Sequence, residues 1–392
     1  MKQLILQKTN QIKAEVIAIR RHLHQHPELS FNEFETSKFI QQKLTEWGIP
    51  FQNNIVATGV VAIIESSKNK NNCIALRADM DALPIQELNE VEYKSQNAGV
   101  MHACGHDVHT SILLGTAKIL NELKDQLPQS VKLIFQPGEE KLPGGAKLMI
   151  EAGVLENPKV EKIFALHVFP ELEAGKVGLR PGMYMASCDE IYITIHGKGG
   201  HAAMPKQNID PIIIASNLIL ALQDIPGKLC PKDIPCVLAF GRIEGLGATN
   251  VIPDKVELQG TFRTMNEEWR SKAHHKIKEI TAEIASLFGG IADVRIINGY
   301  PFLENDSKLT EATKIKLANF LGDKNVVDLP IRMTGEDFAF FAQKVPATFI
   351  RLGVRNETLG ITHPVHNAKF DIDEASLDIG IRTLLTCVFN TL

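Results

Sequence analysis

Ten residues, from Met101 to Thr110, contain three histidines, a cysteine and an aspartate. Thiolate and imidazole groups are the usual ligands of zinc and of neighbouring transition metals. Cys104 and His106 would place two such groups on one short loop, directly before an apolar run that predicts a helix. A histidine-rich tract can also be no more than the start of a helix. The metal interpretation therefore depends on further donors elsewhere in the chain.

Further possible donors follow or lie in apolar segments that predict β-strands. They are two aspartates, two glutamates and a histidine, namely Asp79 and Asp81, Glu139 and Glu140, and His167. Open α/β sheets place their chemistry at the carboxyl ends of strands. Each of these residues also has an explanation without a metal. Aspartate favours turns, and a glutamate pair can lie in a solvated loop. A histidine in an apolar run can be a core residue. Paired glutamates repel each other unless a cation lies between them, which favours a metal with one glutamate as ligand and the other as base.

Other histidines lie near the two ends of the chain. The loop 363–367 contains His363 and His366, of which only one need be a ligand. Near the N-terminus His22, His24 and His26 alternate, and we expect them to have a structural or cleft-edge role.

Composition and charge exclude several classes of function. The chain has 392 residues, enough for two domains with cores of their own. A formal net charge of −4 argues against a nucleic-acid-binding surface. The N-terminal residues turn polar at once, unlike a signal peptide, and we expect no apolar run as long as a membrane span. The six cysteines are scattered and resemble no disulfide framework. These features predict a cytoplasmic protein with neither a nucleic-acid nor a membrane partner.

The order of the predicted elements indicates two domains. Residues 1–184 and 298–392 alternate strands with helices, which is typical of an α/β domain with a mostly parallel sheet. Between residues 185 and 297 the order becomes β-α-β-β-α-β, the ferredoxin-like arrangement. We therefore predict an α+β domain inserted into a metal-binding catalytic domain.

The number and spread of the donors favour a catalytic site. A structural zinc site is closed and uses local spacings, and five candidate donors exceed what one tetrahedral ion needs. Donors at several strand ends favour an open site with two metals, which can share a hydroxide and polarise a carbonyl group. Lowering the pKa of water from 15.7 to about 7 corresponds to roughly 12 kcal/mol, and hydrolysis of an unactivated amide needs such help. Glu139 would take the proton from the metal-bound water and pass it to the leaving amine.

Several segments together resemble one known family. They are RHLHQHPE (Arg21–Glu28), LRADMDALP (Leu76–Pro84), MHACGHDVH (Met101–His109), QPGEE (Gln136–Glu140), His167, HGKGGHAAMP (His196–Pro205), NVIP (Asn250–Pro253), GEDF (Gly335–Phe338) and HPVHNAKF (His363–Phe370). The chain resembles the metal-dependent amidohydrolases of the aminoacylase–carboxypeptidase superfamily. Within it the resemblance is to the branch with hippurate hydrolase, the indole-acetyl-amino-acid hydrolases and N-acetyldiaminopimelate deacetylase.

This resemblance implies a set of metal ligands. They are Cys104, His106, Glu140, His167 and His366, which would hold two divalent ions per subunit, with Cys104 as the bridge. His366 is preferred over His363 because the segment from His366 to Phe370 fits the pattern His-Asn/Ser-Pro-x-Phe/Tyr, with Ala368 in place of the proline. The metals of the family are manganese, zinc, cobalt or nickel. Glu139 matches the general base.

The resemblance also implies roles outside the ligand set. The inserted domain would act as a lid and as the contact of a homodimer, and His201 would hold the carbonyl oxygen in the transition state. Asn250 and Arg263 match positions that bind a substrate carboxylate, a role that suits a guanidinium fork. Asp81, with Asp79 as a further candidate, would orient a metal ligand through a hydrogen bond.

The predicted function is hydrolysis of N-acyl-amino acids, with an acetyl or aryl-acyl group, as small-molecule substrates. The alternative within the same chemistry is a metallo-carboxypeptidase or dipeptidase. A different class of enzyme would use Cys104 as a nucleophile, which leaves the glutamate pair and His167 without a role. A binding protein that had kept the fold would be expected to lose the base, yet Glu139 is present.

Overall fold

The computed structural model describes residues 1–70 and 72–389. Asn71 and residues 390–392, which fall inside the predicted catalytic domain, lie outside the described residues. The chain forms two compact units, and the first consists of Met1–Gly182, Glu304–Pro330 and Asp337–Leu392. The second consists of Met183–Leu303 and Ile331–Glu336. The second unit is therefore slightly longer at each end than the predicted insertion, 185–297. It also includes the segment Ile331–Glu336.

Strands and helices alternate along most of the chain. The strands are β1 (Phe51–Ile55), β2 (Gly59–Ile64), β3 (Asn72–Asp79), β4 (Ser130–Gln136), β5 (Lys159–Glu173), β6 (Val177–Leu179), β7 (Gly182–Met185), β8 (Asp189–His196), β9 (Gly200–His201), β10 (Cys236–Glu244), β11 (Val251–Ile252), β12 (Lys255–Thr264), β13 (Ile291–Asn298), β14 (Leu303–Asn305), β15 (Val326–Asp328) and β16 (Ala347–Arg355). The helices are α1 (Lys2–Gln25), α2 (Phe34–Glu46), α3 (His106–Glu122), α4 (Gly145–Glu151), α5 (Pro211–Leu222), α6 (Glu267–Leu287), α7 (Ser307–Leu321), α8 (Ala339–Ala342) and α9 (Ala375–Val388).

An eight-stranded sheet forms the centre of the first unit, in the order β1-β2-β4-β3-β5-β16-β6-β15. Its four inner strands, β4, β3, β5 and β16, run parallel. Strands β3 and β4 are buried along nearly their whole length, as expected where helices cover both faces of a sheet. The predicted α/β class with a mostly parallel central sheet is confirmed.

Helices α1 and α3 show how the sequence builds the layers around this sheet. Buried apolar residues of α1 recur at helical spacing from Ile12 through Val16 and Ile19 to Leu23. Helix α3 is buried on almost every side from its first residue, His106, onwards. It packs between α1, α9 and strand β3. The histidine-rich tract therefore begins a central helix of the unit and not a surface helix.

The second unit contains a four-stranded antiparallel sheet in the order β10-β12-β8-β13. Along the chain these strands and the helices α5 and α6 follow the order β-α-β-β-α-β. Alternate residues of β8, Ile191, Ile193 and Ile195, are buried beneath the helices. The role of this unit as a lid and dimer contact stays a prediction.

One segment of the second unit differs from its prediction. Within the described residues, the helical segment Pro211–Leu229 is long and apolar enough to cross a membrane, by length and composition alone. The expectation that no apolar run reaches this length is therefore wrong on these two criteria. Core helices meet the same criteria, so the segment carries no conclusion about a membrane.

A buried ion pair ties the elements of the second unit together. The carboxylate of Asp189, at the start of β8, accepts hydrogen bonds from Arg270 of α6 (Nε at 2.9 Å), from His274 (Nε2 at 2.7 Å) and from the amide of Gly299 (3.0 Å). Burial opposes ionisation of Asp189, but the hydrogen bonds from Arg270 and His274 outweigh it and hold the pKa of the carboxyl below its usual range.

We expect Asp189→Asn to destabilise the protein by about 3–5 kcal/mol at pH 7, because it removes the buried charge partner of Arg270 and leaves only the more exposed Glu267. A carboxyl group whose pKa is lower in the folded state than in the unfolded state stabilises the fold at pH values above its unfolded pKa. This stabilisation is lost as pH falls through the folded-state pKa. The deficit should therefore narrow as pH falls below the ordinary carboxyl value of 3.8. Urea unfolding as a function of pH measures it. Glu268→Gln, which breaks an exposed pair with Lys272 on the same helix, is the control and should change nothing measurable. An equal loss in both variants would contradict the assignment.

Candidate metal centre

The loop before α3 contains a glycine at which any side chain would meet both backbone strain and a close contact. Gly105 has a φ of 81°, in the left-handed region, and a Cβ built on it would lie 2.6 Å from Cγ2 of Val168. Cys104 and His106 flank this glycine, and both are buried. The close contact with Val168 fixes the loop against the strand that carries His167.

Cys104 and His167 lie side by side although 63 residues separate them in sequence. Sγ of Cys104 is 3.4 Å from Nε2 of His167. Nδ1 of His167 donates to the carbonyl oxygen of Val168 at 2.8 Å, which places the proton on Nδ1 and leaves the lone pair of Nε2 facing the thiol. Burial holds the pKa of His167 well below its usual range, so that the ring is neutral, as a metal ligand must be.

His106 is oriented by a carboxylate, as ligating histidines usually are. Its Nδ1 lies 3.1 Å from Oδ1 of Asp81. Its Nε2 points towards Asp79 and Glu140, at 3.8 and 4.0 Å, and has no hydrogen-bond partner within the described residues. Burial would lower the pKa of His106, but Asp79, Asp81 and Glu140 outweigh it and raise that pKa to about 10. The surroundings of Nε2 therefore favour a positive charge.

Glu140 and His366 complete the cluster. The amide of Glu140 donates to Oδ2 of Asp81 at 2.9 Å, and its Oε1 lies 3.3 Å from Nε2 of His366 without hydrogen-bond geometry. The side chain of His366 is 52% exposed. Its φ of 61° is unusual for a residue with a side chain, and its amide donates to the carbonyl oxygen of Ala103 at 2.8 Å. Such outliers concentrate at functional sites, and this one turns the imidazole towards Glu140.

Donor atoms of the predicted ligands form overlapping groups within 4.8 Å. One group is Cys104, His106 and His167, a second is Cys104, Glu140 and His366, and a third is His106, Glu139 and Glu140. Burial, Glu140 and Glu139 raise the pKa of the Cys104 thiol well above its usual range, so that only a bound cation would make it a thiolate. Two buried atoms aimed into the cluster, Nε2 of His106 and Oε1 of Glu140, have no hydrogen-bond partner among the described residues. The donor set and these two atoms fit divalent metal ions.

Asp79 supports the cluster from behind. Its Oδ2 accepts from Nη1 of Arg77 at 2.6 Å, and its Oδ1 lies 2.5 Å from Nδ1 of His109. Nε2 of His109 in turn accepts from the amide of Val168 at 2.9 Å. Both oxygens of Asp79 are thus engaged by neighbouring side chains. Arg77 and His109 were not among the predicted site residues, although both lie in segments that carry the resemblance.

Glu139 lies beside the ligand donors and is held by its own contact. The side chain is buried, and its Oε1 is 3.4 Å from the amide of Asp337. Asp337 is fixed by hydrogen bonds from Arg77 (2.7 Å) and Gln136 (2.7 Å). A carboxylate in this position can exchange a proton with a group bound at the cluster.

Three predicted residues belong to the second unit. His201 is exposed on β9, which pairs with β11, and its Nδ1 accepts from the amide of Ala203 at 3.1 Å, so the proton is on Nε2. The carbonyl oxygen of Asn250 accepts from the amide of Ala202 at 3.0 Å, so Asn250 lies close to His201. Arg263 lies on β12 and donates to the carbonyl oxygen of Met333 at 3.2 Å. Their catalytic and binding roles stay predictions.

Comparisons with known proteins place the chain among metallohydrolases. It is 39% identical to thermostable carboxypeptidase 2 of Saccharolobus solfataricus, over 94% of this chain and 93% of that protein. It is 40% identical to N-acetyl-L-cysteine deacetylase of Bacillus subtilis, over 93% and 85%. It is 39% identical to IAA-amino acid hydrolase ILR1-like 4 of Arabidopsis thaliana, over 97% and 86%.

A solved structure and a family model agree with these similarities. The crystal structure of the Bacillus subtilis YXEP protein, described as a dinuclear metal binding peptidase of the M20 family, matches with a TM-score of 0.84 and 35% identity, over 97% of this chain and 98% of that one. The model of peptidase family M20/M25/M40 matches residues 75–390. The predicted metal-dependent amidohydrolase resemblance is thereby confirmed, and the chain belongs to peptidase family M20/M25/M40.

Proposed function

We propose that this hydrolase cleaves the amide bond of N-acyl-amino acids, with an acetyl or aryl-acyl group, by two-metal catalysis. The observation that carries the proposal is the buried carboxylate of Glu139 beside the Cys104, His106, Glu140, His167 and His366 donors. The names of the deacetylase and IAA-amino acid hydrolase relatives support the substrate class. The carboxypeptidase relative keeps a peptidase as the second candidate.

The ligands divide into two sets that share one atom. His106 and His167 would hold one ion and Glu140 and His366 the other, and Sγ of Cys104 belongs to both sets of donors. Divalent ions held there supply a Lewis acid for the scissile carbonyl and lower the pKa of water. Manganese, zinc, cobalt and nickel all accept this donor set.

Glu139 performs the proton transfers in this proposal. Its carboxylate takes a proton from the attacking water and later donates it to the nitrogen of the leaving amino acid. The amide of Asp337, 3.4 Å from Oε1, limits the orientations open to the carboxylate. In the second unit, His201 would donate from Nε2 to the developing oxyanion, and Asn250 and Arg263 would bind the substrate carboxylate.

The first test is amine release from a panel of N-acetyl, N-benzoyl and indole-acetyl amino acids and simple dipeptides. Protein stripped with a chelator should be inactive, and reloading with manganese, zinc, cobalt or nickel should restore cleavage of the acyl conjugates. Glu139→Gln should lower kcat about 100- to 10,000-fold with unchanged metal content. Cleavage of dipeptides alone would favour the peptidase, and undiminished turnover in Glu139→Gln would exclude this mechanism.

A second test concerns the bridge. Cys104→Ser should lower the number of cobalt ions bound per chain and abolish the thiolate-to-cobalt absorption in the near ultraviolet, because serine is not ionised at neutral pH. Cys73→Ser is the control, since this buried cysteine of β3 contacts the carbonyl oxygen of Pro158 and not the cluster. Cobalt titration followed by absorbance gives both quantities. A Cys104→Ser protein with two ions at unchanged affinity would contradict the bridging role.

The proposal includes a homodimer formed through the second unit. Helix α5 buries one apolar face, yet Ile213 and Leu220 on its other side are 48% and 72% exposed. Exposed apolar faces of this kind mark association sites.

We expect Leu220→Lys to convert the dimer to a monomer in sedimentation velocity, since a lysine would be buried without a partner. Leu287→Lys, at an equally exposed leucine of α6, should leave the mass unchanged. A wild-type monomer, or a Leu220→Lys dimer, would contradict this part of the proposal.

A further inference from the structure

Glu33 is a buried carboxyl to which the proposed function gives no role. It directly precedes α2, and its side chain is fully buried. Oε1 accepts hydrogen bonds from the amides of Phe31, at 2.9 Å, and Gly138, at 2.8 Å. Oε2 accepts from the hydroxyl of Thr58 at 2.7 Å. One carboxyl oxygen thus joins two backbone segments that lie more than a hundred residues apart.

Both amides that Glu33 holds belong to residues in an unusual conformation. Phe31 and Gly138 have φ values of 65° and 61°. A left-handed φ is rare for a bulky residue such as phenylalanine, and it persists only where the surroundings enforce it. A Cβ on Gly138 would lie 2.4 Å from Cζ of Phe31, so the aromatic ring rests on the glycine backbone. We call the three residues Phe31, Glu33 and Gly138 together the clamp.

The clamp holds one side of the segment that carries the catalytic glutamates. Gly138 directly precedes Glu139, and the amide of Glu140 on the other side donates to Oδ2 of Asp81. The same oxygen accepts from the hydroxyl of Ser30 at 2.6 Å. The loop 30–33 therefore fixes the backbone both before and after Glu139, once through Glu33 and once through Asp81.

We propose that Glu33 is a positioning residue that sets the backbone of Glu139 and Glu140 by holding the amide of Gly138. This inference rests on the proposed function, because it assigns to those glutamates the roles of base and ligand. A purely structural role for Glu33 predicts a loss of stability only. The positioning role predicts a loss of kcat in protein that is folded and fully loaded with metal.

The role requires a hydrogen-bond acceptor and not a negative charge. Burial and the nearby Asp81 raise the pKa of Glu33 to about 7, so that protonated and ionised forms coexist near neutral pH. In Glu33→Gln the amide oxygen can accept both backbone N–H groups, while the NH₂ group donates to Oγ1 of Thr58. In Glu33→Ala both acceptors are lost.

The experiment measures kcat and KM separately for the full-length, manganese-loaded protein, with metal content and the circular dichroism spectrum of each variant. Glu33→Ala should lose about 10- to 100-fold in kcat, the usual effect of removing a partner outside the coordination sphere, with bound metal verified. Glu33→Gln should stay within about twofold of the wild type. Thr58→Val is the matched control, because it removes the bond to Oε2 and leaves both amides bound to Oε1, and its kcat should not change.

Two results would overturn the proposal. One is a wild-type kcat in folded Glu33→Ala, and the other is a loss in Glu33→Gln as large as in Glu33→Ala. If Glu33→Ala does not fold, Glu33→Asp decides, because a side chain shorter by one methylene keeps an acceptor but cannot reach both amides. A reduced kcat in Glu33→Asp supports the role, and a wild-type kcat contradicts it.

Glu139→Gln, assayed in parallel, separates this inference from the proposed function. Full activity of Glu139→Gln would exclude the proposed mechanism, independently of the results for the Glu33 variants. A large loss of activity in Glu139→Gln together with a wild-type kcat in Glu33→Ala would exclude the positioning role of Glu33 and leave the proposed mechanism standing.

Discussion

Repulsion between carboxylates is the constraint on which the first unit depends. Asp79, Asp81 and Glu139 are buried and Glu140 is nearly so, all within one small region. Burying ionised groups costs several kcal/mol each unless opposite charge accompanies them. Arg77 shares its single positive charge between Asp79 and Asp337. Asp81 and the two glutamates face His106 and the Cys104 thiol. The proposed pair of divalent cations would meet this need, and the parallel strands β3 and β4, which end together, bring the carboxylates there.

Residues whose side chains can themselves bind a metal could be found from the sequence. Cys104, His106, Glu140 and His167 are thiol, imidazole or carboxylate donors at strand ends and loops, and the family resemblance selected His366 over His363. The structure brings the donor atoms of these five residues together. The alternating histidines near the N-terminus were assigned a structural or cleft-edge role. One of them, His24, is buried between Asp107 and Glu87.

Roles that arise from a contact between distant segments could not be found in this way. Nothing in the sequence near Glu33 indicates that its carboxyl reaches Gly138, and nothing near His109 indicates that it joins Asp79 to Val168. Helix α7 was not predicted from the sequence. Two of its four buried residues are threonines, Thr310 and Thr313, which interrupt the helical spacing of apolar residues. Strand β5 continues past His167 and through Pro170, a residue that usually argues against a strand.

The order of the donors along the chain decides when the centre can be completed during synthesis. Cys104, His106, Glu140 and His167 all precede the second unit, whereas His366 follows it. A ribosome that has finished the second unit has therefore released four of the five donors. The complete set exists only after His366 has been synthesised, so the proposed metal sites could be filled completely only after the whole second unit has been made.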